Sequence, residues 1–412
     1  MIIILLNQNV KIIAFGEWVI LGLVMMVNNL IKDIQGLLKK FNLDGWLFYD
    51  FQNRNYIAQM ILNINPKEHF TRRWFYFIPK DGEPIKLLSR VEPHKLEHLE
   101  GKKLLYSTWK EMIEKLKEIL KNYKTIAMEY SKNCSIPYIS IVDAGTHEII
   151  KSLSVEIVSS ADLIQTFFLI SEDKIKTHYQ AGEIIKNVLF DVFNNLNSFK
   201  YEFEVCEFIY NKLIENNLTT DGDFPIFAIG ENSSNPHYIP TKDKSKKIEK
   251  EMPFLIDIWA RLNQENSIYY DITWVGYYGV NVPDEYKKVF DIVKVARDLA
   301  VEYINDKLDK SLEVFGYEVD DVVRNYISQK GYGNYFIHRT GHSIGKFVHW
   351  FNVNIDNFET HDNRKIMNGC LFSIEPGIYI DGKFGIRLEI DVYIKENKAI
   401  ITTIKQDDLI II

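Results

Sequence analysis

Four acidic residues and one histidine in the second half of the chain have the types and spacing to hold divalent metal. Phe254 to Ala260 carries Asp257, Ile268 to Trp274 carries Asp271, and Asn263-Gln264-Glu265-Asn266 lies between, a pattern that predicts strand, turn and strand. A turn centred on Gln264 sets the two aspartates opposite each other on one face of the hairpin. Flanked by Leu255, Ile256, Ile258 and Ile272, they repel unless a proton or a cation lies between them. The arrangement recurs: Leu371 to Ile380 carries Glu375, Phe384 to Asp391 carries Glu389, and the acids are again 14 residues apart across Asp381-Gly382-Lys383, with a Pro376-Gly377 bulge able to shift the pairing by one. Two such hairpins predict two similar halves packed so that four carboxylates converge, which takes more than one cation. The fifth member is His342 in Thr340-Gly341-His342-Ser343-Ile344-Gly345, where glycines let the ring approach a crowded site. An oxygen-rich set with one nitrogen suits Mn²⁺, Fe²⁺, Co²⁺ or Zn²⁺ in a two-metal site better than a thiolate-held structural zinc.

The elements that must position these residues belong to a chain of 412 residues, long enough for two or three domains and, at 46% hydrophobic and 25% charged, of ordinary globular composition. A net charge of −7 argues against phosphate backbones and anionic membrane as partners. Cys134, Cys206 and Cys370 form neither a disulfide framework nor a Cys-x-x-Cys pair, which fits a reducing cytoplasm. Residues 1–26 are apolar but interrupted by Lys11 and Glu17, too short a run to span a bilayer, and are expected to be an extension upstream of a true start at Met25 or Met26. Residues 27–162 predict an α/β domain. It has a helix from Leu30 to Phe41 capped by Asn28 or Asn29, strands at Trp46–Tyr49 and Thr125–Glu129, a hairpin of Trp74–Ile78 with Ile85–Ser89, and a helix over Trp109–Lys121 capped by Ser107 or Thr108. No cluster of His, Cys or acids at ligand spacing occurs in it. Residues 163–412 change texture, with long helices near Glu172–Leu196, Val205–Asn216 and Asp284–Lys307 alternating with the hairpins, and five of the ten histidines fall between 237 and 361.

At this point the residues resemble the metallopeptidases of the pita-bread fold (family M24), which include methionine aminopeptidase, aminopeptidase P and prolidase, with creatinase as a metal-free relative. Thr340-Gly341-His342-Ser343-Ile344-Gly345 is similar to the family's histidine motif, Ser373-Ile374-Glu375-Pro376-Gly377 to its first glutamate motif, and Ile386-Arg387-Leu388-Glu389 to its last. Asp257 and Tyr270-Asp271-Ile272-Thr273 resemble the aspartate pair. Leu43-Asp44-Gly45-Trp46 with Asn55-Tyr56-Ile57 is similar to the start of the N-terminal domain of prolidase, aminopeptidase P and creatinase. The resemblance implies an α/β (α+β) chain: a pita-bread catalytic domain with a pseudo-twofold antiparallel sheet and flanking helices, preceded by a creatinase-like N-terminal domain. It implies two divalent ions, Mn²⁺ foremost, with Asp257 on one, His342 and Glu375 on the other, and Asp271 and Glu389 shared. It implies hydrolysis of Xaa-Pro bonds by a hydroxide held between the metals, with Glu375 as general base. His349, seven residues after His342, would hydrogen-bond the tetrahedral intermediate, His237 would line the substrate pocket, and Arg387 would orient carboxylates. Homodimers are common in that family, although no residue feature specifies one.

Two positions depart from the family pattern: Trp274 stands where Arg is usual after Asp-x-Thr, and Trp350 where Glu is usual after His349. Both are expected near the substrate. Taken singly, each acid suits a solvated hairpin face and His342 a satisfied buried histidine; only their joint spacing argues for metal. His338 is expected to be structural or to support the site or the substrate from behind it. The alternatives to an Xaa-Pro exopeptidase are a metal-free hydrolase like creatinase, opposed by five intact ligands, and a fold-sharing binding protein without catalysis, opposed by His237 and His349.

Overall fold

The computed structural model describes residues 30–412, so the expectations for residues 1–26 and for the Asn28 or Asn29 cap lie outside the described residues. Contacts divide the chain into two compact units after Phe167. The division falls five residues later than the expected 162, because the helix Ala161–Phe167 follows directly on Ser160, whose N–H is bonded to the Met128 carbonyl of the first sheet. Among the described residues no helix is long and apolar enough to cross a membrane.

The first unit is built on six strands in the order Lys102–Tyr106, Ile85–Ser89, Trp74–Pro79, Gly45–Asp50, Thr125–Met128 and Glu156–Ser159. Gly45–Asp50 and Trp74–Pro79 are buried at every residue, as continuous apolar strands covered on both faces must be. The predicted hairpin forms with Phe75 opposite Leu87. Helix Trp109–Leu120 takes Thr108 rather than Ser107 as its cap, the hydroxyl accepting the Glu111 N–H at 3.1 Å, and buries Met112, Leu116, Ile119 and Leu120. Asn55 caps the short helix Tyr56–Ile61 by accepting the Ala58 N–H at 2.8 Å, while its amide nitrogen donates to the Tyr49 carbonyl and to Glu129.

Glu129 is sealed away in the core of this unit, at 0% exposure, where it accepts the Trp46 indole N–H at 2.6 Å and the Asn55 amide at 2.8 Å. Burial raises its carboxyl to about 7 against those two bonds. A carboxyl raised on folding contributes stability at low pH and loses it as pH climbs through the folded value. The stability difference between the wild-type chain and Glu129→Gln should therefore shift against the wild type by about 2 kcal/mol between about pH 5 and about pH 8. Denaturant unfolding followed by tryptophan fluorescence at the two pH values measures it, and an unchanged difference would contradict a neutral buried carboxyl.

In the second unit a helix pair and a hairpin occur twice in succession. Helices Glu172–Asn195 and Glu202–Glu215 precede the antiparallel strands Met252–Leu262 and Tyr270–Tyr278; helices Asp284–Asp309 and Gly316–Gln329 precede strands Leu371–Ile374, Gly377–Ile380, Phe384–Arg387 and Ile390–Lys395. The core lies in two layers. Phe254, Ile256, Ile258, Ile272 and Trp274 pack with Ile185, Val192 and Phe193 of the first helix, whereas Leu255, Val275 and Tyr277 pack with the third and fourth helices and the second hairpin. Strand side chains alternate, so the odd-numbered face of the first hairpin, which carries Asp257, Asp271 and Thr273, looks inward to the second half.

The first hairpin departs from its predicted register. Asp257 lies opposite Thr273 and Asp271 opposite Trp259, so the aspartates are diagonal neighbours on one face rather than directly opposed. The turn is longer than a centre at Gln264 allows, because the Tyr269 N–H leaves the ladder for the Gly345 carbonyl and the Asn263 N–H goes to Asn217. A shift by an even number keeps the face, so the acids stay together. In the second hairpin Leu371 pairs with Tyr393, Ile374 with Ile390, Gly377 with Arg387 and Ile380 with Phe384. That is one register on both sides of Pro376, and it leaves Glu375 and Glu389 facing each other where the ladder is interrupted.

Candidate active site

Asp257 and Asp271 come from the middle of the first hairpin, Glu375 and Glu389 from the interruption of the second, and His342 from the segment before it. The Glu375 N–H is bonded to the Thr340 carbonyl at 2.7 Å and the Glu389 N–H to the Thr273 carbonyl at 3.1 Å, which ties both glutamates to the other pieces. Gly341 is required beside His342, since a β-carbon there would collide with the Ser373 carbonyl oxygen. One ligand atom each from Asp271, His342 and Glu389 lies within 4.8 Å of the others, and all three residues are buried. Glu375 Oε1 is 3.5 Å from His342 Nε2, and Asp271 Oδ2 is 3.7 Å from it. Asp257 joins through Arg387, which is hydrogen-bonded to Asp257 Oδ2 and lies 3.8 Å from Glu375 Oε2.

Two carboxylate oxygens in this cluster lack the partners that buried groups find elsewhere. Asp257 Oδ1 and Asp271 Oδ1 are buried with no hydrogen bond. His342 Nδ1 lies 3.3 Å from the Ser343 carbonyl, an acceptor, so the proton sits on Nδ1 and the Nε2 lone pair faces two carboxylates. Acceptors aimed at acceptors repel, and a cation between them resolves it. The donor set, four carboxylates and one imidazole, fits divalent metal. Without a cation, burial first and then the neighbouring acids push Asp271 and Glu389 well above the carboxylate range; burial raises Glu375 to about 7 against the opposing charges of Arg387 and Arg339. Burial, then His349 and Arg339, hold His342 well below the histidine range.

The remaining predicted residues gather around this cluster. The His349 ring meets the His342 ring edge-on, centroids 4.4 Å apart, and keeps an edge open to solvent; partial desolvation of the ring, ahead of the charges of Arg339 and His237, lowers it to about 4. His237 is exposed on a loop whose Pro236 carbonyl accepts Arg387 Nη1 at 3.2 Å, and its ring acts electrostatically on Asp257 and His349. His338 donates from Nδ1 to the Arg339 carbonyl at 2.7 Å and accepts the Tyr379 hydroxyl at 2.8 Å, while Arg387 donates to that hydroxyl at 3.3 Å. Of the two departures from the family pattern, Trp274 turns away from the acids. Trp274 faces the helix layer, packed on Phe190 and Phe193 away from Asp271 and Thr273, so no side chain at that position reaches the acids. Trp350 packs on Phe168 and Phe351 and donates its indole N–H to the Phe168 carbonyl at 3.0 Å.

Sequence reasoning passed over three groups that hold the cluster in shape. Thr273 Oγ1 accepts Arg387 Nε at 3.0 Å and donates to Glu389 at 2.7 Å; Ser373 Oγ accepts the His342 N–H and donates to Glu375, each at 3.0 Å. Both lie two residues from an acid and so on the acid's own strand face, which was a usable signal. Asp320 had none. From the fourth helix it accepts Thr340 N–H at 3.0 Å, Thr340 Oγ1 at 2.6 Å and both arms of Arg324.

Comparison with known proteins adds the decisive observation: residues 176–396 match the family model described as metallopeptidase family M24. The chain belongs to metallopeptidase family M24. The matched span contains every residue of the cluster. Among relatives of this M24 peptidase, the Xaa-Pro dipeptidase of Pyrococcus horikoshii is 30% identical, with 69% of this chain and 76% of that one aligned, and that of Pyrococcus furiosus is 27% identical over 69% and 75%. The crystal structure of a prolidase from Thermococcus sibiricus matches 94% of this chain and 99% of its own at 26% identity and a TM-score of 0.62. A dipeptidase structure from Mycobacterium ulcerans, 20% identical with a TM-score of 0.69, shares the fold. The architecture is therefore that of the pita-bread metallopeptidases with an N-terminal α/β unit, and the protein is a metallo-exopeptidase.

Because Thr273 links Arg387 to the candidate ligand Glu389 in this M24 peptidase, Thr273→Val should weaken divalent-metal binding by about 10- to 100-fold, the range for groups that orient metal ligands, while Thr273→Ser keeps it near wild type. Calorimetric titration of the metal-free protein distinguishes the two.

Proposed function

We propose that this chain is a dinuclear metal-dependent exopeptidase that hydrolyses the peptide bond preceding proline. The observation that carries the reading is the meeting of five potential ligands with two partnerless carboxylate oxygens and an imidazole lone pair turned on carboxylates. Asp257 would hold one ion, His342 and Glu375 the other, and Asp271 and Glu389 both. Mn²⁺ is the ion we favour, for an oxygen-rich set with a single nitrogen. Two such ions, when bound, polarise the scissile carbonyl and make water nucleophilic at neutral pH. Glu375, with Ser373 donating to it, takes up the proton that the attacking water gives off. His349, neutral near pH 7, donates a hydrogen bond to the carbonyl oxygen as charge develops there. His237 lines the side from which the peptide enters. Arg387 balances Asp257 and Glu375, and His338 orients Arg387 through Tyr379. The peptide substrate is the only partner we assign, in the cytoplasm, where three unpaired cysteines are stable.

Arg387 is engaged by the site acids, and Arg339 already faces Glu359 at 3.8 Å, so a free substrate carboxylate gains little from either. The test is turnover of an Xaa-Pro dipeptide, its C-terminal amide and an Xaa-Ala control by metal-free and Mn²⁺-loaded protein. Expected are two ions per chain, activity only when loaded, strong preference for proline and a dipeptide-to-amide ratio of kcat/KM within about tenfold, since a pair of balanced charges adds about 1 kcal/mol. Full activity in chelator-treated protein would overturn the metal-dependent reading, and equal cleavage of Xaa-Ala the proline one.

A further inference from the structure

The outer edge of strand Tyr270–Tyr278 points its odd-numbered backbone groups away from its hairpin partner. Toward its end the edge is closed conventionally: Val275 N–H and carbonyl are both taken by the Gln406 side chain, at 2.9 and 2.7 Å, and the Tyr277 carbonyl accepts the Ile412 N–H at 3.0 Å. At Thr273 and Asp271 the second hairpin takes over. The Thr273 carbonyl accepts the Glu389 N–H at 3.1 Å, and the Asp271 N–H, which would otherwise be a buried orphan donor, is bonded at 2.8 Å to Asp391 Oδ2. A side-chain carboxylate thus stands where a neighbouring strand would offer a carbonyl.

Asp391 is itself fixed from every direction except one. It is fully buried, its N–H is held by Thr403 Oγ1 at 2.9 Å, its carbonyl by the Thr402 N–H at 2.9 Å, and its Oδ1 has no protein partner. Behind it lies His178, also fully buried, donating from Nδ1 to the Tyr269 carbonyl at 2.6 Å and accepting from Thr402 Oγ1 at 2.8 Å, its Nε2 4.0 Å from Asp391 Oδ2. Between these two residues Tyr270 is held by its hydroxyl, which accepts the Ile404 N–H at 2.9 Å, and its ring lies so close to Gly182 that a β-carbon there would strike it. The backbone entering Asp271 is therefore gripped at 269, 270 and 271.

We propose that Asp391, backed by His178, is a positioning residue that sets the spacing between Asp271 on the first hairpin and Glu389 on the second, and so the affinity of the site for metal. It acts as a hydrogen-bond acceptor that joins the two hairpins; it is not a ligand. The inference rests on the reading of Asp271 and Glu389 as shared ligands. Hydrogen-bonding groups that orient metal ligands change affinity by about 10- to 100-fold. The full-length, metal-free chain is titrated calorimetrically with Mn²⁺ as wild type, Asp391→Asn, Asp391→Leu and Asp271→Asn. Asp391→Asn keeps an acceptor oxygen in the same place and should bind within about threefold of wild type, while Asp391→Leu should lose about tenfold or more. Wild-type affinity in Asp391→Leu together with loss in Asp271→Asn overturns the proposal and leaves the ligand reading standing. Unchanged affinity in Asp271→Asn overturns the ligand reading and the proposal with it. A loss in Asp391→Asn above about tenfold overturns positioning in favour of a charge effect, and this variant decides the question alone if Asp391→Leu does not fold.

Discussion

Asp271→Asn should lower kcat/KM for an Xaa-Pro peptide by more than about 10⁴-fold, the scale on which an enzyme fails when one member of a mutually dependent set is removed. The reason lies in charge and place. Asp271 stands diagonally across the hairpin from Asp257, 3.7 Å from His342 Nε2 and close to Glu389, and one of its oxygens has no partner. As the shared ligand we propose it to be, it would offset two cations at once, and an amide would supply no charge to either. The substitution is isosteric, and the backbone N–H that joins Asp391 is untouched, so circular dichroism and the unfolding midpoint should stay near wild type. Glu389→Gln should behave in the same way. Near wild-type turnover by either variant with added Mn²⁺ would refute the assignment.

His349→Ala should spare metal binding and lower kcat by about 10²- to 10³-fold, with a smaller effect on KM, because the hydrogen bond we propose for it would strengthen as charge develops on the carbonyl oxygen. The ring sits edge-on to His342 and is held at about 4, so it is neutral near pH 7 and in the proposed role would donate without a charge that bound metal would repel. Metal stoichiometry measured alongside the kinetics separates this role from that of a ligand: a fall in bound Mn²⁺ would make His349 part of the metal shell.

The two hairpins show where sequence reading reaches and where it stops. The second takes the register expected of a turn centred on Gly382, and the one-residue shift that a Pro376-Gly377 bulge allows does not occur, since the register continues through Pro376. The first could be placed only to within its face. Its turn is set by hydrogen bonds from Asn263 to Asn217 and from Tyr269 to Gly345, partners 46 and 76 residues away in the chain, and nothing local to the turn records them. Trp274 is a different case. The family pattern placed it near the substrate, whereas its parity along the strand, which was legible, turns it to Phe190 and Phe193.

By itself the sequence determined the types of the candidate ligands, their strand faces and their division between two similar halves. These are local properties: alternation on a strand, glycine where a histidine must pass close to another backbone, and acids spaced across a turn. Tertiary structure alone decided which distant groups close the open valences of those elements. Asp320 reaches from a helix to Thr340, Asp391 completes the strand edge at Asp271, and Tyr379 connects His338 to Arg387. A hydrogen bond is specified by two groups meeting at about 3 Å, and when they come from separate elements the chain's path through space, which no single segment encodes, selects the partner.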